Sequence, residues 1–147
     1  MNALAYRIQV QTTKAPEFVD LTAQVVSLAR DSGVRDGCVV IFSRHTTAAI
    51  KINENEPQLL RDLEAFLERA ASKHGHYYHN DLSLRQAGLT EDEDSNGHAH
   101  CQHLLLGSSE VVPIVGGELC LGAWQSIFLV ELDRPRPREI VVQVLGG

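Results

Sequence analysis

The amino-acid sequence predicts an α+β fold built on an antiparallel sheet. Four strand-like runs close the chain, 109–115, 118–121, 123–132 and 139–145, with no room for helices between them. Gly116-Gly117, between the first two, is a strong hairpin signal. Helix-period segments are confined to the earlier part of the chain, which excludes a doubly wound parallel sheet. The closing runs are expected to form a meander.

The elements follow in order. Residues 4–12 alternate polar and apolar through Tyr6, Ile8 and Val10, as a half-buried strand does. Pro16 interrupts, and Asp20 is placed to cap a helix over 21–30 with Leu21, Val25, Leu28 and Ala29 on its apolar face. Gly33 stands where glycine stops helices. Residues 38–43 and 48–53 read as strands, the second with Ile50 and Ile52 on one face. Pro57 opens the clearest amphipathic helix, with Leu59, Leu60, Leu63, Phe66, Leu67 and Ala70 at helical spacing. Residues 73–97 read as a long loop carrying three glycines and the acidic run Glu91-Asp92-Glu93-Asp94. Residues 98–106 are short and of unclear period; a helix is one reading.

Composition bounds the function. At 147 residues, 44% hydrophobic and 22% charged, the chain is the size of one domain, 1–147. No apolar run approaches the roughly 18 residues that span a bilayer, and the N-terminus does not read as a signal peptide, so the cytoplasm is the expected location. A net charge of -6 gives no electrostatic footprint for nucleic acid. The one basic stretch, Arg134-Pro135-Arg136-Pro137-Arg138, reads as a solvated turn. Three cysteines without a CxxC argue against a disulfide framework. Cys38 is expected to pack as a small hydrophobe, and Cys101, beside two histidines, is a candidate ligand or thiol.

Histidine supplies the chemical signal. Six of the seven histidines fall between residues 74 and 103. His98-Ala99-His100 would share a face on a strand but point roughly 160° apart on a helix, where His100 and His103 would be the neighbours. Two imidazoles, joined by His45 or His79 and a carboxylate such as Glu54 or Asp94, would suit zinc; histidines satisfied by backbone or water are the alternative. His45-Thr46-Thr47 ends one strand and Asn53-Glu54-Asn55-Glu56 ends the next; were those strands a hairpin, His45 and Glu54 would lie at opposite ends. Asn55 or Glu56 can equally serve as a helix cap. Gly107-Ser108 can bare N–H groups to an anion or form a plain turn. Trp124 reads as core, although Trp124-Gln125 after Gly122 also suits a pocket wall.

These residues together resemble the YjbQ-like family, also called secondary thiamine-phosphate synthase enzymes. The resemblance runs through His45-Thr46-Thr47-Ala48, Asn53-Glu54-Asn55, Asp62, Tyr78-His79 with Asp81, Asn96 before His98-Ala99-His100, Leu106-Gly107, Pro113 and Gly122-Ala123-Trp124-Gln125. It implies a mainly antiparallel, β-sandwich-like α+β fold with flanking helices, and a homotrimer with a pocket at a subunit boundary. It also implies an activity that joins hydroxymethylpyrimidine diphosphate to thiazole phosphate and releases diphosphate. On that reading His45, Glu54, Asp62 and His100 are catalytic. Thr46, Thr47, Asn53, Gly107, Ser108, Trp124 and Gln125 bind the small phosphorylated substrate. A divalent metal, zinc or magnesium, would be held by His45, His98 and His100. The alternative is a trimeric metal- or anion-binding protein without turnover. One departure stands out: Gln102 occupies a position where family members usually carry lysine or arginine.

Overall fold

The computed structural model describes residues 1–90 and 94–147. Most of the acidic run lies outside them. Among the described residues eight strands form two antiparallel sheets: β1 (Asn2–Gln11), β2 (Glu17–Asp20), β3 (Gly37–Ser43), β4 (Ala48–Asn53), β5 (Ser109–Val115), β6 (Glu118–Leu119), β7 (Ser126–Glu131) and β8 (Pro137–Gly146). One sheet has the order β1-β8-β3-β5-β6, the other β2-β7-β4. Three helices accompany them: α1 (Thr22–Asp31), α2 (Pro57–Ala70) and α3 (Gly97–Leu106). The α+β expectation holds.

The meander does not. Gly116-Gly117 turns β5 into β6 as expected, but β7 leaves for the second sheet, and β8 returns to lie between β1 and β3. Nor do β3 and β4 form a hairpin; they belong to different sheets, so the polar segment between them is a crossover. The physical reason is visible in β7, which is buried on both faces. Period-two alternation sends Ile127 and Leu129 toward the first sheet, where they meet Val39, Ile41, Val142 and Val144. Phe128 and Val130 point the other way, onto Leu67 of α2 and Ala99 of α3. The molecule thus layers large sheet, small sheet, and α2 with α3, while α1 packs into the core on the large-sheet side. A continuous apolar run fits the middle layer and no edge of a meander.

Several elements differ in extent or exposure. The third closing run begins as a strand only at Ser126; Ala123, Trp124 and Gln125 form a turn. Within α2 only Leu67 is fully buried, so the helix rides on the small sheet by a narrow contact. Glu56 is its N-cap, the carboxylate accepting from Gln58 N at 2.6 Å and Leu59 N at 2.9 Å. Asn55 instead donates to Asp20. Cys38 is half-buried on the outer face of the large sheet rather than in the core.

The Arg134 to Arg138 segment is not a solvated turn. Arg138 is only 2% exposed and Glu131, its partner, 0%. Their carboxylate and guanidinium meet twice, through Nε at 2.8 Å and Nη2 at 2.5 Å. Thr12 Oγ1 and the backbone N–H groups of Leu132 and Asp133 also donate to Glu131. Arg138 Nη2 reaches Thr47 Oγ1 at 3.0 Å. A buried charge survives only when paired and hydrogen-bonded, and here both are. The pair ties β7 in one sheet to β8 in the other, directly beneath the crossover that carries His45-Thr46-Thr47.

Candidate functional site

The site is assembled where that crossover meets the start of α3, a 3-10 turn at Tyr78–Asn80, and the arginine segment. A cavity of about 560 Å3 is lined by Thr46, Thr47, His79, Arg85, Asn96, His100 and Arg136 among others. None of its described lining residues is acidic. The imidazoles of His79 and His100 pack edge to face, ring centroids 4.6 Å apart. The 3-10 turn can approach α3 this closely because residue 97 is glycine; a Cβ there would fall 2.6 Å from Tyr77 Cβ. A second cavity, about 400 Å3, opens on the other side of the same two imidazoles and is lined by His76, Tyr77, Tyr78 and Cys101.

Around the first cavity the polar groups are held from behind. Asp133 Oδ2 accepts from both Arg136 Nη1 and Asn96 Nδ2, each at 3.1 Å. Burial is the main cause that pulls the His100 imidazole below its ordinary pKa, with His79 nearby adding to it. The Arg136 guanidinium therefore supplies fixed positive charge where His100 is biased toward neutrality.

The structure distributes the predicted residues unevenly. Thr46, Thr47 and His100 face the main cavity. His45 stands beside them but turns away: its Nε2 accepts the Glu139 N–H at 2.8 Å, so that lone pair is engaged. Burial, then Arg138, lowers its pKa. Because residues 98–100 are helical, His98 and His100 diverge. His98 lines a separate cavity of about 400 Å3 with Arg61, Glu64, Lys73 and Gln102. His103 joins α3 to the crossover, its Nε2 3.2 Å from Ser108 Oγ and its ring against backbone groups of His45 and Ala48. Among the described residues, no three His, Cys, Asp or Glu side chains are placed to hold one metal ion. Within one protomer His45, His98 and His100 do not form a common ligand set.

Glu54, Asp62, Trp124 and Gln125 do not line the main cavity. Asp62 is exposed on α2, and Asn53 lines an apolar groove with Phe18 and Phe66. Trp124 is 76% exposed, in a turn closed by Gln125, whose Oε1 accepts the Gly122 N–H at 2.8 Å. It is not a core residue. Gly107 adopts φ +92° and passes its carbonyl to Ile50 N, while Ser108 O accepts from Ser43 N. That reversal stitches α3 to both sheets, and the Gly107 N–H is spent on His103 O. Gln102, the departure noted above, is buried on the far side of α3 and donates to Leu67 O and Ala71 O at the end of α2. It does not face the His79–His100 cavity.

Residues 6–147 match the model of the YjbQ family, described as UPF0047 protein YjbQ-like. The chain belongs to this family. It is 40% identical to a UPF0047 protein of Methanothermobacter thermautotrophicus over 99% of this chain and 94% of that one. It is 33% identical to UPF0047 protein YugU of Bacillus subtilis, over 95% and 97%. In structure it is similar to a YbjQ-like protein of unknown function from Sulfolobus solfataricus, at a TM-score of 0.90 and 37% identity, covering 99% of both chains. A hypothetical protein of Aeropyrum pernix superposes with a TM-score of 0.85 at 34% identity, covering 100% of both chains. No helix among the described residues is long and apolar enough to cross a membrane.

Arg136 and Arg138, expected in a solvated turn, and Asp133 were not among the expected site residues. The one signal that could have found the arginines is their period of two, Arg134, Arg136, Arg138, running into an alternating strand. Asp133 carries no local signal.

Proposed function

We propose that the His79–His100 cavity binds the phosphate or diphosphate of a small molecule. We propose further that the protein is a transferase of the thiamine-phosphate-synthase type, joining hydroxymethylpyrimidine diphosphate to thiazole phosphate. One observation carries the reading: Arg136, the imidazoles of His79 and His100, and Thr46 and Thr47 line one cavity whose described lining has no carboxylate. Guanidinium and hydroxyl donors are the groups that recognise phosphate. The neighbouring cavity, walled by Tyr77 and Tyr78, is suited to a flat ring, and the imidazole pair stands between the two.

In the reaction the bond between the pyrimidine methylene carbon and the diphosphate oxygen breaks, and the oxygen keeps the electron pair. The thiazole nitrogen forms the new carbon–nitrogen bond. The charge developing on the leaving diphosphate is what Arg136 and the cavity's other donors stabilise. An anion beside His100 raises its pKa, so a proton is available there when diphosphate is bound. Within one protomer His45, His98 and His100 do not converge, so the donors that face the leaving group are those of the cavity itself.

Self-association as a homotrimer is part of the proposal. The outward face of the large sheet carries an apolar patch on β3 and its neighbours, Leu145, Cys38 and Pro113 in one row, Val40 and Val111 in the next and Val141 and Phe42 in a third, with Gln143 and Ser109 sharing the last two rows. A second copy of this chain would cover it. Assembly would also bring a neighbour's surface residues, among them Glu54 and Trp124, to a protomer's open cavity. The second reading is an anion-binding trimer without turnover. It is favoured by the position of Glu54 and Asp62, which lie outside the cavity within one protomer.

The test has two arms. Calorimetry with inorganic diphosphate should show binding that weakens at least about tenfold in Arg136→Ala, the size of a lost charge-assisted hydrogen bond. Unchanged affinity would remove Arg136 from the site. Complementation of a thiamine-requiring strain tests turnover; rescue by both the parent and Glu54→Ala would take Glu54 out of catalysis, and binding without rescue supports the second reading.

A further inference from the structure

Asn96 occupies the N-cap position of α3, where an asparagine side chain ordinarily accepts from the first-turn N–H groups. Here it makes no such bond. The Gly97 N–H goes instead to Asn80 Oδ1 at 2.9 Å. The Asn96 side chain is only 8% exposed, and its Nδ2 donates to Asp133 Oδ2. A carboxylate accepts and does not donate, so this bond fixes which end of the amide is which. The other end, Oδ1, is buried without a hydrogen-bond partner. Asn96 lines the same cavity as His100 and Arg136. A buried acceptor left without a donor is costly, and proteins rarely leave one so without a purpose.

A phosphate oxygen cannot satisfy Oδ1, because both are acceptors. We infer that Asn96 is a specificity-determining residue: it selects phosphorylated molecules that carry a hydroxyl or amino donor beside the phosphate. The inference rests on the anion-binding reading of the cavity. Asp133 is the positioning residue, since one of its oxygens orients both the Asn96 amide and the Arg136 guanidinium. Oδ1 itself is closed to solvent, so the ligand's O–H or N–H donates to it as the Asn96 amide opens toward the cavity, with the phosphate on Arg136.

Two probes of equal charge and similar size isolate the effect: glycerol 3-phosphate, which has hydroxyl donors, and n-propyl phosphate, which has none. Calorimetry on the full-length protein should show the first binding at least about tenfold tighter. In Asn96→Leu that preference should collapse to about twofold or less. Inorganic diphosphate serves as the control for the cavity itself. Equal affinity for the two esters, with diphosphate still binding, overturns the inference and leaves the anion reading standing. Binding of none of the three overturns the anion reading and this inference with it. The comparison in the unsubstituted protein needs no variant, so misfolding of Asn96→Leu does not blunt the test.

Discussion

Arg138 and Glu131 carry opposite charges at almost complete burial, and the consequence is local to those two residues. Removing one partner leaves the other charged and dry, a loss of about 3–5 kcal/mol. Arg138→Ala should therefore lower the chemical-denaturation midpoint sharply. Arg138→Met combined with Glu131→Gln, which keeps an acceptor for Thr12, should recover part of the loss; a double-mutant cycle with no coupling would contradict the pairing. Histidine sets a second residue-scale effect. His45, His98, His100 and His103 are each pulled below the ordinary value of 6.5, burial being the first cause in every case. The folded state thus binds fewer protons than the unfolded chain just below pH 6.5. Their contribution is present above about 6.5 and is lost as pH falls through that window. The denaturation midpoint at pH 5.5 should lie below that at pH 7.5. Glu139, held at about 2 chiefly by Arg44 and then by Gln9, acts in the same sense at lower pH: its share is present above 4.5 and is lost as pH falls from there toward 2.

At the scale of elements, α3 organises the molecule by presenting different chemistry on different sides. One side sends His100 to the cavity beside Arg136; another sends Gln102 to the end of α2. Gln102→Leu strips Ala71 O of its donor and should cost about 1–3 kcal/mol. Gln102→Lys should lie between Gln102→Leu and the parent in stability, since the carbonyls and the helix dipole offset only part of the cost of burying an ammonium. It should leave diphosphate affinity unchanged, because position 102 does not face the phosphate cavity. A gain in diphosphate affinity in Gln102→Lys would show that this residue reaches the ligand after all.

For the whole molecule, the proposed trimer rests on the apolar patch of the large sheet's outward face. Phe42 and Val111 are both exposed in the single chain. Phe42→Asp places a charge on that patch, and sedimentation should then report a monomer where a trimeric parent is expected. A parent that sediments as a monomer would end the trimer proposal. The exposed Trp124 offers an independent view: its fluorescence should shift to the blue when the parent assembles, if the neighbouring copy covers that turn.

Much of this was readable without coordinates, and the divide follows the range of the forces involved. Local pattern alone marked α2, whose Leu60, Leu63 and Leu67 repeat at helical spacing, and the Gly116-Gly117 hairpin, because helix periodicity and turn chemistry are properties of neighbouring residues. The clustering of histidines and the YjbQ-like blocks likewise pointed to His100, Thr46 and Thr47. Which sheet each strand joins was not in the local pattern, since β7 and β8 look alike until burial on both faces assigns β7 to the middle layer. The direction of each side chain was also settled at long range. His98 and His100 part because 98–100 is helical, Trp124 is exposed because the chain turns there, and Arg138 is buried because Glu131, seven residues away in the chain, faces it across two sheets. Sequence fixes which groups exist and how they repeat; only packing, which brings Asp133 to Asn96 across 37 positions, determines which of them meet.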